Sequence, residues 1–160
     1  MTTPVSPVEP GARERKAILD RTRSIAVVGA SSNPARASNF VMTYLASSIC
    51  DFDLYPVNPR ESKVNGFACY PSLEELPVVP DLVDVFRRPE DCPEIARTAV
   101  GIGAKALWLQ LGIVSDEAAE IARAGGLDVV MNRCTKIEHA RFAGGLHLAG
   151  FDTGVISSRR

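Results

Sequence analysis

The stretch Ser24-Ile25-Ala26-Val27-Val28-Gly29-Ala30-Ser31-Ser32-Asn33-Pro34-Ala35-Arg36 decides how this chain folds. Five residues with a continuous apolar core end at a glycine. Such a run, with no polar alternation, suits a strand covered on both faces, as in a parallel sheet. Gly29 lets the chain turn sharply without a Cβ in the way. Small residues follow, and then a helix whose first N–H groups lack intrahelical partners and suit an anion.

Working outward, residues 12–21 favour helix, with Ala17, Ile18 and Leu19 as an apolar patch. After the first loop, Phe40, Val41, Tyr44, Leu45 and Ile49 recur at helical spacing, which predicts one face turned toward a sheet. Residues 52–57 read as a second strand, stopped by Asn58-Pro59, and residues 66–70 as a short extended piece. Ser72 with Glu75 forms a capping-box pattern, so residues 73–76 should make a helical turn. Strands are expected at residues 81–86, 104–110 and 127–131. Pro89 can open a helix reaching about Val100. Ser115 caps another helix, with Ala118, Ala119, Ile121 and Ala122 inward and Gly125-Gly126 as its stop.

Strands alternating with helices imply an α/β fold with right-handed crossovers. The expectation is a Rossmann-like three-layer sandwich around a five-stranded, mainly parallel sheet in the order 3-2-1-4-5. It would span residues 12–143, with residues 1–11 as a flexible arm and residues 144–160 as an irregular tail. Ligands on such sheets sit beyond the carboxyl ends of the strands, near the switch point.

Composition narrows the function classes. The chain has 160 residues and a formal net charge of −1, which gives no bulk attraction to nucleic acid. No apolar run reaches the roughly 20 residues that span a bilayer, and the N-terminus lacks a signal-peptide pattern. A cytoplasmic location is the expectation, with no membrane partner. Cys50, Cys69, Cys92 and Cys134 form no C-x-x-C pair, so reduced thiols and no metal site are expected.

Each strand end offers ligand-directed chemistry. Gly29, Ala30 and Ser31 allow a ligand to approach the backbone, and Arg36 can reach a phosphate oxygen. The G-x-G-x-x-G pattern is missing, since Ser31 and Pro34 stand where glycines would be needed, and no Walker A motif occurs. After the second strand, Arg60 and Lys63 suit a phosphate on a ribose, which both NADP and coenzyme A carry. After the third, Phe86, Arg87 and Arg88 combine a ring with two cations. Gln110 ends the fourth, with Trp108 as core, and Arg133, Cys134 and Lys136 follow the fifth.

These runs together carry a resemblance. They are Gly29-Ala30-Ser31 with Pro34 and Arg36, Val57-Asn58-Pro59, Val83-Asp84-Val85-Phe86-Arg87-Arg88-Pro89, Trp108-Leu109-Gln110, and Arg133-Cys134 with Lys136-Ile137-Glu138-His139. The chain resembles the small single-domain CoA-binding proteins, related to the CoA-binding domain of the succinyl-CoA synthetase α-subunit. The resemblance implies contact roles for Gly29, Ala30, Ser31, Arg36, Pro59, Phe86, Arg87 and Pro89, with coenzyme A or an acyl-CoA as ligand. Asn132 departs from the aspartate the family leads one to expect beside Arg133-Cys134.

No catalytic constellation emerges. The synthetase relatives phosphorylate a histidine outside the CoA-binding domain, and this chain is expected to lack that second domain. Glu138 and His139 are adjacent in a helical run and so diverge by about 100°, which makes them a poor acid–base dyad. His147 lies in the glycine-containing tail. Cys134, flanked by cations, is a candidate for a mixed disulfide with coenzyme A. The expectation is binding without catalysis. The alternatives are an NADP-dependent reductase and a CoA-binding subunit for a separate catalytic chain. A homodimer is equally compatible with the sequence.

Overall fold

The computed structural model describes residues 9–47 and 49–143. The tail expectation and His147 lie outside these residues, as does most of the N-terminal arm. In chain order the elements are α1 (Ala12–Asp20), β1 (Ser24–Val28), α2 (Ala37–Leu45), β2 (Asp53–Val57), β3 (Lys63–Val64), β4 (Phe67–Ala68), β5 (Leu82–Val85), α3 (Cys92–Ile102), β6 (Ala106–Leu109), α4 (Asp116–Ala124), β7 (Asp128–Val130) and α5 (Thr135–Phe142). Short 3-10 turns occupy Leu73–Glu75 and Pro89–Asp91, so Pro89 opens a tight turn one step ahead of α3.

The architecture is α/β with a five-stranded parallel sheet, as the strand–helix alternation requires. The strand order differs from the expected one. It is β2-β1-β5-β6-β7, which reads 2-1-3-4-5 when only these five strands are counted, not 3-2-1-4-5. Two features explain the difference. Pro56 in β2 has no N–H to give a second neighbour, so that strand is tolerated at an edge and not between two others. On its outer side Tyr70 N–H donates to Pro56 O at 2.9 Å, an isolated bridge and not a full strand pairing. By contrast, all four residues of β5 are buried, which fits a strand inserted between β1 and β6.

Helices cover both faces. Ala26, Val28, Val83, Val85, Leu107, Leu109 and Val129 meet α3 and α4 on one side, where Ala96, Ala99, Ala118 and Ala122 let the helices lie close. Ile25, Val27, Leu82, Trp108 and Val130 meet α1 and α2 on the other, through Ile18, Leu19, Val41, Met42 and Leu45. The expected inner face of α2 needs correction. Phe40 is 60% exposed and Ile49, beyond the helix end, is 66% exposed, whereas Met42 is fully buried. At 100° per residue, Ser38, Val41, Met42 and Leu45 form the inner stripe and Phe40 falls about 150° from its centre, on the outer side of the helix.

A small hairpin, β3–β4, turns through Asn65 (φ 50°) and Gly66 (φ 85°) beside the main sheet. Helix α5 closes the α1–α2 side and is fixed by charge as well as packing. Arg15 Nε donates to Glu138 Oε1 at 2.7 Å, with side chains 7% and 3% exposed, and Arg141 stands 3.7 Å from the second oxygen. A paired charge this deep is costly to break from one side, because the survivor stays buried. Arg15→Ala is expected to lower the unfolding free energy by about 3–5 kcal/mol, read from urea denaturation. A loss below about 1 kcal/mol would show that Arg141 suffices to hold Glu138.

Candidate functional site

The chain reverses winding direction between β1 and β5, and a crevice opens at their carboxyl ends. Gly29 adopts φ +86° there, and a Cβ at this position would lie 2.6 Å from the Phe86 carbonyl oxygen. Glycine is therefore required twice over, by dihedral angle and by space. The loop that follows is braced by its own side chains. Asn33 N–H donates to Ser31 Oγ at 3.1 Å and Ala35 N–H donates to Asn33 Oδ1 at 2.9 Å. Asn58 Nδ2 donates to Ala30 O at 2.7 Å, tying the loop to the end of β2.

A cleft of about 1000 Å³ extends from this loop across the strand ends to α5. Its walls carry Arg36, Arg87, Arg88 and Lys136 and, among the described residues, no acidic side chain. Arg36 forms the N-cap of α2, with extended backbone, and its guanidinium has no partner among the described residues. The N–H groups of Ser31, Ala37 and Ser38 also lack an acceptor among the described residues, and all three residues line the cleft. Arg87 and Arg88 lean on Asp91 at 3.0 and 3.4 Å, exposed contacts that a ligand anion can replace. The remaining wall is apolar, from Phe40, Val41, Phe86, Leu111, Ile113 and Ile137. The Lys136 ammonium sits 3.9 Å from the centre of the Phe40 ring, joining α2 to α5 across the mouth.

Of the residues singled out from sequence, Gly29, Ser31, Arg36, Phe86, Arg87 and Gln110 are brought together in this cleft. Ala30 lies beneath it, fully buried, with its N–H and carbonyl both engaged by the β2 side. Pro59, Arg60 and Lys63 lie outside the cleft lining, exposed on the connection from β2 into β3. Pro89 is exposed on the 3-10 turn behind Arg87 and Arg88.

Gln110 has a structural role that its position at a strand end did not reveal. It is 4% exposed, and its Nε2 donates to Asp84 Oδ1 at 2.5 Å and to Thr135 Oγ1 at 2.9 Å. Thr135 in turn donates to Asp84 Oδ2 at 3.0 Å. Asp84 is the centre of this network and is completely buried in the middle of β5. Burial pushes its carboxyl up to about 7, against the opposing pull of the Gln110 and Thr135 hydrogen bonds. The signal for it was present in Val83-Asp84-Val85, a single acid inside an apolar strand.

The other titratable groups fall into place around the cleft. Burial also pushes the Cys134 thiol up, although two α5 backbone N–H groups and Lys136 pull it down, so its thiolate is disfavoured. Trp108 is fully buried below, with Nε1 donating to Arg133 O at 2.8 Å. His139 faces away from the cleft. It packs edge-on against Tyr44 and Phe52, lies 2.9 Å from the Tyr44 hydroxyl, and is held below its usual pKa by burial. Its neighbour Glu138 points to Arg15 instead, so the two side chains diverge. Among the described residues no three His, Cys, Asp or Glu side chains gather as a metal site, and no helix is long and apolar enough to cross a membrane.

Comparison with known proteins adds the following. The family described as CoA binding domain matches residues 23–140. The uncharacterized protein YneT of Bacillus subtilis (strain 168) is 36% identical over 131 residues, 82% of this chain and 96% of that protein. The ADP-forming acetate–CoA ligase I of Archaeoglobus fulgidus is 28% identical over 120 residues, which cover 69% of this chain but 17% of the ligase. Among solved structures, a hypothetical protein from Pyrococcus horikoshii OT3 superposes with a TM-score of 0.80 at 38% identity, over 90% of this chain and 99% of that one.

The Asp84 carboxyl yields a stability prediction. Its folded pKa lies above the ordinary value of 3.8, so the folded protein keeps a proton that the unfolded chain releases. Its contribution is full below pH about 4 and is lost as pH rises through about 7. Asp84→Asn should remove this dependence, which amounts to at most about 1.4 kcal/mol per pH unit. Urea unfolding of both proteins across that range measures it, and identical slopes would contradict the assignment.

Proposed function

The chain belongs to the family of CoA-binding domains, and we propose that it binds coenzyme A, free or as a short acyl thioester, without performing chemistry on it. The observation that carries this reading is the charge of the cleft. A protein of net charge −1 gathers four cations in the lining of one crevice, where no acid stands among the described residues. That is the electrostatic signature of an anionic ligand. The donor set suits phosphates in particular. Three N–H groups without acceptors among the described residues stand at the α2 N-terminus and the loop before it, beside the Arg36 guanidinium. The apolar wall beyond them suits an adenine ring or a pantetheine arm.

Support for binding without catalysis comes from the titratable groups. His139 is engaged by an aromatic pocket away from the cleft, and the Cys134 thiol is held protonated. Neither is poised as a nucleophile or general base. The match to one segment of a much longer acetate–CoA ligase favours a second reading, in which this chain supplies CoA binding to a separate catalytic chain. Arg60 and Lys63 remain candidates for the ribose phosphate, reached by the end of the ligand that extends over the β2–β3 connection.

Isothermal titration with coenzyme A and with NADPH tests the reading. Coenzyme A is expected to bind and NADPH to bind more weakly. The reverse order would favour the reductase alternative. Arg36→Ala should weaken coenzyme A binding about tenfold or more, the size of a charge-assisted hydrogen bond. An unchanged affinity would move the phosphate site off the first loop. Native mass spectrometry of the protein purified from its own cells separates the two readings, since a partner chain would appear in the complex mass.

A further inference from the structure

The loop after β1 carries two donors that already hold an anion. Ser32 donates its backbone N–H to Glu61 Oε2 at 3.1 Å, and its hydroxyl donates to Glu61 Oε1. Glu61 belongs to the β2–β3 connection, which is folded around Asn58. Arg60 N–H donates to Asn58 Oδ1 at 2.8 Å, and Glu61 N–H donates to Asn58 O at 3.4 Å. Asn58 itself lines the cleft, as does Ser31, the residue before Ser32. The carboxylate therefore lies against the outer side of the phosphate-directed loop, one residue from the cleft wall.

A carboxylate oxygen and a phosphate oxygen seek the same N–H and O–H donors. One pair of donors cannot serve both. Ser32 is exposed and Glu61 partly so, which makes the contact weak and readily exchanged. The carboxylate also places a negative charge beside the end of the cleft where Ser31 and Arg36 are to meet a phosphate.

We infer that Glu61 is a specificity-determining residue of the first loop: it occupies the Ser32 donors as an internal anion, and a ligand phosphate binds there by displacing it. The inference rests on the reading of the cleft as a coenzyme A site. It assigns Glu61 the opposite sign of effect from its neighbours Arg60 and Lys63. The loop is then selective for ligands whose phosphate groups carry more charge than one carboxylate, and singly charged carboxylate ligands gain nothing from the exchange.

Titration of coenzyme A into the wild type, Glu61→Gln and Glu61→Ala tests this, with thermal melting to establish that each is folded. Removal of the charge is expected to tighten coenzyme A binding about two- to fivefold, the size of an exposed charge contact. The gain should shrink as salt is added. A structural latch would give the opposite result, since releasing it loosens the loop. Unchanged or weaker binding in both variants, with the wild type still binding, overturns the role of Glu61 alone. Failure of all three folded proteins to bind coenzyme A overturns the reading of the cleft, and this inference with it.

Discussion

The carbonyl oxygen of Phe86 stands where any side chain on residue 29 would have to go. The ends of β1 and β5 can meet this closely only because one partner has no Cβ and turns through a positive φ. Everything at the carboxyl edge of the sheet follows from that contact. It leads the first loop to the start of α2 and brings Phe86 and Arg87 into the same crevice as Arg36.

The far wall depends on a different force. Helix α5 brings Lys136, Ile137 and Cys134 to the cleft, and it is tethered at two depths. Thr135, at its first turn, joins the Asp84–Gln110 pair, and Glu138, one turn later, joins Arg15. Both tethers are buried polar contacts in a low-dielectric interior, where a satisfied group is specific and an unsatisfied one is costly. The apolar stripe of α2 supplies non-directional burial. The two tethers fix the register of α5 against it.

Charge is sorted by these constraints. The carboxylates near the cleft are turned to other uses. Asp84 sits beneath it with a raised pKa, Asp91 supports Arg87 and Arg88 from behind, and Glu61 holds the outer side of the first loop. The cations are left facing inward. A chain of almost neutral net charge thereby produces a locally positive crevice without a basic composition.

The strands and most helices were legible in the sequence, because short apolar runs and capping residues act locally. The contents of the first loop were legible for the same reason. Gly29, Ser31 and Arg36 are neighbours along the chain, so their meeting needs no knowledge of the rest. The edge position of β2 was missed, since the expected order put that strand inside the sheet, although the missing N–H of Pro56 argued against an interior place. What the sequence could not show is which distant side chains meet. Asp84 with Gln110 and Thr135, Arg15 with Glu138, Phe40 with Lys136, and Ser32 with Glu61 are all pairings across separate elements. Local propensity sets where each element starts and stops, but the side of a helix that reaches the cleft is set by how that helix lies on the sheet. That packing is a property of the whole core, and only the assembled tertiary structure decides it.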